Sequence, residues 1–154
     1  MELDDKLKPL SGLQCIDLRL IVGGSLILYL GHRPSETELA EWRMHIEPAW
    51  RLELAGSPVV GSFDAPESKE VASPMIDQLN KIRGRRLAGI SVGAPILDLL
   101  LAFDDSYELR TFAHSTRDGE NWEVRHQSGL RIAMLEGSVC EWIEYTERPD
   151  RGSA

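Results

Sequence analysis

Cysteine is nearly absent: Cys15 and Cys140 are the only two. They are too few and too far apart for a disulfide framework or a zinc site, so reduced thiols in a cytoplasmic protein are expected. Long apolar runs are also missing. No stretch reaches the 18 apolar residues of a membrane-crossing helix, and the opening MELDDKLKPL is acidic and lacks the apolar centre of a secretory leader. Basic excess is lacking too: 17 Lys and Arg stand against 25 Asp and Glu, a net charge of −8. Nucleic-acid binding relies on basic side chains displacing counterions, so that partner class is disfavoured, and KIRGRR at 81–86 reads as a solvated helix end and turn.

Catalytic signatures are missing as well. There is no GxSxG, and no GxGxxG, P-loop or HExxH. His32, His45, His114 and His126 fall in no metal-ligand spacing, and His45 and His126 are assigned to the charged faces of their strands. No catalytic residue, metal or cofactor is expected.

What is present is the material of one domain. A length of 154 residues with 42% hydrophobic and 27% charged side chains suits a soluble globular chain with a sizeable core. Most of the apolar signal has period two or comes in short runs, the pattern of strands. QCIDLRLI (14–21), a Gly23-Gly24 turn and SLILYLG (25–31) read as a hairpin. EWRMHIE and AWRLELAG alternate on either side of Pro48. Ser35 with Glu38 fits a capping box, so a short helix is allowed near 36–42. GSFDAPESKEVASP is a connecting loop. Ser73-Pro74 then starts a helix over 74–83 that presents Met75, Ile76, Leu79 and Ile82 on one face and stops at Gly84. RRLAGISV, ILDLLLAF, YELRTFA, NWEVRH, LRIAML and VCEWIEY follow as strands, and 148–154 reads as a disordered tail.

The two halves echo one another. At an offset of 72, Leu7 and Gly12 fall on Leu79 and Gly84, Leu18 and Leu20 on Ile90 and Val92, and Trp50 on Trp122. Gly56 meets Gly129 after one insertion. The expectation is therefore a mainly β (α+β) single domain over 1–150. It would be built of two similar halves (7–63 and 79–145) joined by a loop and helix (64–84). Each half would be an antiparallel meander of about four strands, and the two would form a barrel or a sandwich.

Two residue sets carry possible chemistry. Glu47, Glu53, Glu120 and Glu123 flank Trp50 and Trp122 and would suit a carboxylate pair for acid–base work, although strand alternation alone already predicts charges there. Acidic and aromatic residues near 36–53 would suit a protein contact, since interface anchors are enriched in Trp.

LLLAFDD, GENWEVR and the glycine turns between alternating strands resemble small β-rich bacterial proteins of unknown function, immunity-protein-like, of the kind encoded near polymorphic toxins. The resemblance covers most of residues 10–145. It implies a cytoplasmic, non-enzymatic binding protein that neutralises a cognate toxin by occluding it. An acidic inhibitor would also associate quickly with a basic toxin through electrostatic steering. The contact residues expected are Glu36, Glu38, Glu41, Trp42, Glu47, Glu53 and Trp142, with no nucleic acid and no membrane involved and a homodimer left open. The alternatives are a small-molecule-binding β-barrel or cryptic enzyme using the carboxylates near Trp50 and Trp122, and a structural subunit of a defence or secretion assembly.

Overall fold

The computed structural model describes residues 2–21, 23–33, 35, 39–64, 73–93, 97–112, 120–135 and 139–144. It holds helix α1 (Glu2–Leu7), strands β1 (Cys15–Leu20), β2 (Leu26–Leu30), β3 (Trp42–Ile46), β4 (Trp50–Leu54) and β5 (Ser57–Gly61), and helix α2 (Ser73–Leu79). Strands β6 (Leu87–Gly93), β7 (Asp98–Phe103), β8 (Tyr107–Thr111), β9 (Glu120–His126), β10 (Leu130–Leu135) and β11 (Val139–Glu144) complete the set.

All of the strand pairing is antiparallel. One sheet runs β1-β2-β3-β9-β10-β11 and the other β5-β4-β8-β7-β6. The result is a mainly β sandwich and not a closed barrel. Its core is continuous between the two layers and includes Leu28, Met44, Trp50, Leu52, Leu101, Leu109, Trp122 and Val124, all at most 2% exposed. Alternation explains why these residues turn inward, because successive strand side chains point to opposite faces.

Each half contributes strands to both sheets. The chain changes sheet between β3 and β4, beside Pro48, and again between β8 and β9. Thus β3 pairs with β9 (Met44 opposite Val124), and β4 pairs with β8 (Leu52 opposite Leu109). This differs from two self-contained meanders packed face to face: the first half supplies five strands and the second six, exchanged across the sandwich. The exchange buries the apolar face of each three-strand meander against strands of the other half.

Positions 72 apart make matching contacts. Gly12 N–H donates to Leu87 O and Gly84 N–H to Cys15 O; Leu87 N–H donates to Leu13 O and Cys15 N–H to Arg85 O. Gln14 and Arg86 form an isolated bridge between them, which joins the β1 and β6 edges at one end. The indoles follow the same rule. Trp50 Nε1 donates to Gly24 O (2.6 Å) and Trp122 Nε1 to Leu97 O (2.9 Å), so each ring ties its strand to a hairpin turn of its own half.

The helix expected over 74–83 is α2 continued by a 3-10 turn at Asn80–Ile82, with Met75, Leu79 and Ile82 buried. Its counterpart at the N-terminus was not anticipated. There α1 runs into a 3-10 turn at Lys8–Leu10 and buries Leu3, Leu7 and Leu10 at the same spacing. For the short helix allowed near 36–42, residues 36–38 lie outside the described residues. Residues 39–41 are not helical, and Trp42 opens β3. The tail at 148–154 also lies outside the described residues.

Candidate functional site

The outer faces of the two sheets carry the polar chemistry, and they differ. On the five-stranded sheet, β4 and β8 turn Arg51, Glu53, Glu108 and Arg110 outward. Arg51 holds Glu53 at 3.2 Å, and Arg110 holds Glu53 at 2.8 Å and Glu108 at 2.9 Å. Two cations meet two anions and the charges close on themselves. Glu53 is only 5% exposed, so its carboxylate needs both partners.

The six-stranded sheet lines up cations by register. Register places Arg43 of β3 opposite Arg125 of β9, and Arg125 opposite Arg131 of β10. With neighbouring strands about 4.8 Å apart, three guanidinium-bearing positions fall in a row about 10 Å wide. Beside this row Glu123, 5% exposed, is paired with Arg125 and accepts from Arg131 at 2.9 Å, Glu41 stands two positions before Arg43 on the same face and accepts from His32 N–H at 3.4 Å, and Asp17, opposite Tyr29, pairs with Arg83. Arg43 has no hydrogen bond or ion pair among the described residues. Opposite Arg43 on β2 is Tyr29, and Arg33 sits over the Tyr29 ring with Cζ 5.4 Å from its centroid. Strand β11 brings Glu141 and Ile143 opposite Ala133 and Arg131. Like charges directly opposite on a sheet are destabilising, and the Glu123 carboxylate between Arg125 and Arg131 offsets part of that cost, as Glu53 does between Arg51 and Arg110.

His45 lies on the same outer face, opposite Glu123, with Nε2 3.0 Å from Glu47 Oε1. Glu47 also accepts from Ser25 Oγ at 2.6 Å. His126 departs from expectation. It is on the Trp122 side of β9, opposite Trp42, and the two ring centroids are 4.6 Å apart.

The expected contact residues are not assembled into one acidic face. Glu36 and Glu38 lie outside the described residues. Glu41 is half-buried beside Gly31, its N–H donating to His32 O. Trp42 is 4% exposed and belongs to the core, which corrects its assignment as a surface anchor. The acidic neighbour that suggested exposure precedes the strand, and Arg43 points to the opposite face. Glu53 lies on the other sheet from Glu41 and Glu47 and is consumed by two arginines. Trp142 occupies the β11 position opposite Ile132, and its side chain lies outside the described ones.

Nor do the carboxylates near the two tryptophans converge. Glu53 and Glu123 sit on the outer faces of different sheets, with the apolar core between them. A shallow groove of about 570 Å³ opens beside β5 and is lined by Trp50, Arg51, Pro58, Phe63, Asp64 and Phe112, with Phe63 80% exposed. Residues 65–72 and 113–119 lie outside the described residues. Cys15 is fully buried, and burial pushes its thiol up to about 12, so it carries no nucleophilic chemistry. Among the described residues no group of three His, Cys, Asp or Glu could hold a metal ion, and no helix is long and apolar enough to cross a membrane.

No protein-family model matches the chain, and comparison with curated proteins and with solved structures finds no match either.

Proposed function

We propose that this chain is a non-catalytic binding protein of the immunity type, which captures a protein partner, a cognate toxin, on its surface and neutralises it by occlusion. The observation that carries this reading is the placement of its polar groups. The space between the sheets is filled by tryptophan, leucine and methionine, and the charged side chains are spread over the two outer faces. Charged groups dispersed over outer faces suit a protein partner better than a small substrate, which needs a concave site with converging polar groups.

The ligand-binding barrel and the carboxylate enzyme lose support from the same geometry. Their cavity is occupied by side chains, and Glu53 and Glu123 are separated by the core.

Growth rescue tests the proposal. A toxic product encoded beside this chain is expressed with and without it, and binding of the purified pair is measured by calorimetry. The reading expects restored growth and a 1:1 complex. Growth arrest that persists despite soluble expression of this chain, with no heat of binding, would refute it.

A further inference from the structure

We propose that the outer edge of β6 is a self-association surface, on which a second copy of this chain pairs its own β6 antiparallel across a two-fold axis at Ser91. Such pairing stands apart from the binding-protein reading above and is compatible with it.

Residues 88–94 read AGISVGA, the same outward from Ser91 in both directions except for Ile90 against Val92. Among the described residues β6 ends its sheet, and its stretch 89–93 has no charge and no proline. Ladder geometry sets which backbone groups this stretch leaves open. Leu99 N–H donates to Thr111 Oγ at 2.9 Å, on the β8 side, so its partner Val92 turns N–H and C=O away from β7. Register is regular from Gly89 to Gly93, which gives Ile90 the same orientation. The open window is bounded at both ends. Leu87 is already bonded through its N–H and C=O to Leu13 and Gly12, and Leu97 N–H closes a turn on Gly93 O. The centre between these limits is Ser91. Helix α1 and the 3-10 turn after it pack against β6 and send Leu3, Leu7 and Leu10 into the core. They do not seal the edge: Ile90 and Val92, opposite the buried Leu101 and Leu99, stay half-buried, and Ser91 is exposed.

The other three edges carry features that discourage strand pairing. In β1, which matches β6 at the offset of 72, Asp17 and Arg19 stand where β6 has Gly89 and Ser91. In β5, Pro58 has no N–H to give, and Gly61 N–H is taken by Asp64 Oδ2 at 2.8 Å. Strand β11 carries Glu141 and Glu144. Gly89 and Gly93 have no positive φ, and a Cβ on Gly89 would meet nothing within 4 Å, so the fold of one chain does not call for glycine there. A second copy does, since Gly89 then lies opposite the other copy's Gly93 at a Cα separation of about 4.5 Å. Ile90 exchanges both of its hydrogen bonds with Val92 of the other copy, and Val92 with Ile90, which satisfies every open group of the window. Their side chains meet across the join and lengthen the two cores. A strand of an unrelated partner could use the same edge, but it would not require the edge to read alike in both directions.

One strand edge is a small interface, below the roughly 1,200 Å² of stable complexes, so the dimer is weak, with a Kd on the order of 100 µM. The net charge of −8 on each copy opposes their approach, so added salt tightens the pairing. Sedimentation velocity of the full-length protein tests this from about 5 to about 500 µM, a range that brackets that Kd, at low and high salt. Ser91→Lys sets two ammonium groups opposite each other across the two-fold axis. Gln78→Lys, at an exposed position on α2, makes the same change of net charge elsewhere. Circular dichroism verifies both folds. In a second measurement Ser91→Cys and Gln78→Cys, each in a Cys140→Ser background, are oxidised with oxidised glutathione, and Cys15 is buried away from the reagent. A Cα separation of about 4.5 Å at Ser91 is within reach of a disulfide.

Self-pairing at β6 expects a mass that climbs from monomer toward dimer with concentration, and more steeply at high salt. Ser91→Lys should weaken the dimer at least ten-fold although it lessens the net repulsion, and Gln78→Lys should change it less than two-fold. Ser91→Cys should give a disulfide-linked dimer at least ten-fold faster than Gln78→Cys. A chain that stays monomeric throughout, a dimer indifferent to Ser91→Lys, or equal cross-linking of the two cysteine variants would overturn the proposal. So would capture of a different protein that is lost on Ser91→Lys from a chain with no self-association, since the edge would then serve that partner's strand. Failure here leaves the binding-protein reading untouched, because that reading stands or falls on a heteromeric partner.

Discussion

Replacing Trp50 or Trp122 by Phe tests whether the two halves make equivalent contacts. Both rings are at most 2% exposed, and both spend their only donor on a turn carbonyl, Gly24 O in one case and Leu97 O in the other. Phe removes that donor and shrinks the ring. A void of roughly 40 Å³ costs about 1 kcal/mol at 24 cal/mol per Å³. The lost hydrogen bond, with its carbonyl left in a buried turn, adds about 1–3 kcal/mol. Each variant should therefore lose about 2–4 kcal/mol, and the two losses should agree to within about 1 kcal/mol. Urea unfolding followed by circular dichroism reads this directly. For a chain of this size, with a slope of about 2 kcal/mol per molar, each midpoint should fall by about 1–2 M. A loss of several kcal/mol in one variant and under about 0.5 kcal/mol in the other would refute the equivalence.

Three further outcomes are expected. Cys15 in a Cys140→Ser background should resist maleimide until the chain unfolds. With the folded thiol near 12 against 9.0 for the ordinary group, its stabilising contribution is complete below pH 9 and is lost as pH rises from 9 toward 12. At pH 10.5 the loss is about 2 kcal/mol, and a Cys15→Ala variant, compared between pH 8 and 10.5, should lack that component. Gly24→Ala should destabilise by about 1 kcal/mol more than Gly23→Ala. Both glycines have φ near +95°, but only at Gly24 would a Cβ meet a backbone oxygen, Ser62 O at 3.0 Å. Melting curves of the two variants decide it. Glu123→Ala, which strips the carboxylate from Arg131, whose side chain is 15% exposed, should lose about 2–4 kcal/mol. Glu108→Gln, at a 35% exposed side chain, should lose under about 1 kcal/mol. Chemical denaturation of the pair in parallel checks the contrast.

The strands were legible because alternation is a local property. CIDLRL, LILYL, WRMHI, WRLEL and NWEVRH each carry their inward and outward faces in the order of their residues, and the described strands fall where that order puts them. The offset of 72 was equally visible, since it rests on glycines and tryptophans that sit at fixed places in turns and core. What local order cannot give is which strand pairs with which. The junction of β3 with β9 joins residues about 80 apart in sequence, so a sandwich of exchanged strands and two separate meanders predict the same alternation.

The candidate site was hidden for the same reason. Arg43, Arg125 and Arg131 each look like an ordinary outward residue of an amphipathic strand, and they become a row only through register. Net charge pointed the other way and drew the expectation toward Glu47 and Glu53, whose carboxylates are engaged by His45 and Ser25 and by Arg51 and Arg110. Trp42 was misplaced because Glu41 and Arg43 flank it in sequence while alternation sends Arg43 to the other face. Helix α1 and the 3-10 turn after it went unseen because Leu3, Leu7 and Leu10 are set among acids and lysines, and only their i, i+4, i+7 spacing marks the segment.

Under the proposed reading, this chain works by holding a protein partner on its surface. Native mass spectrometry of the full-length protein, tagged and recovered from the organism that encodes it, decides whether such a partner exists. One dominant species is expected at the mass of a 1:1 heteromeric complex, which dissociates when the salt concentration is raised. Recovery of the chain only as free monomer or as homo-oligomers would contradict it.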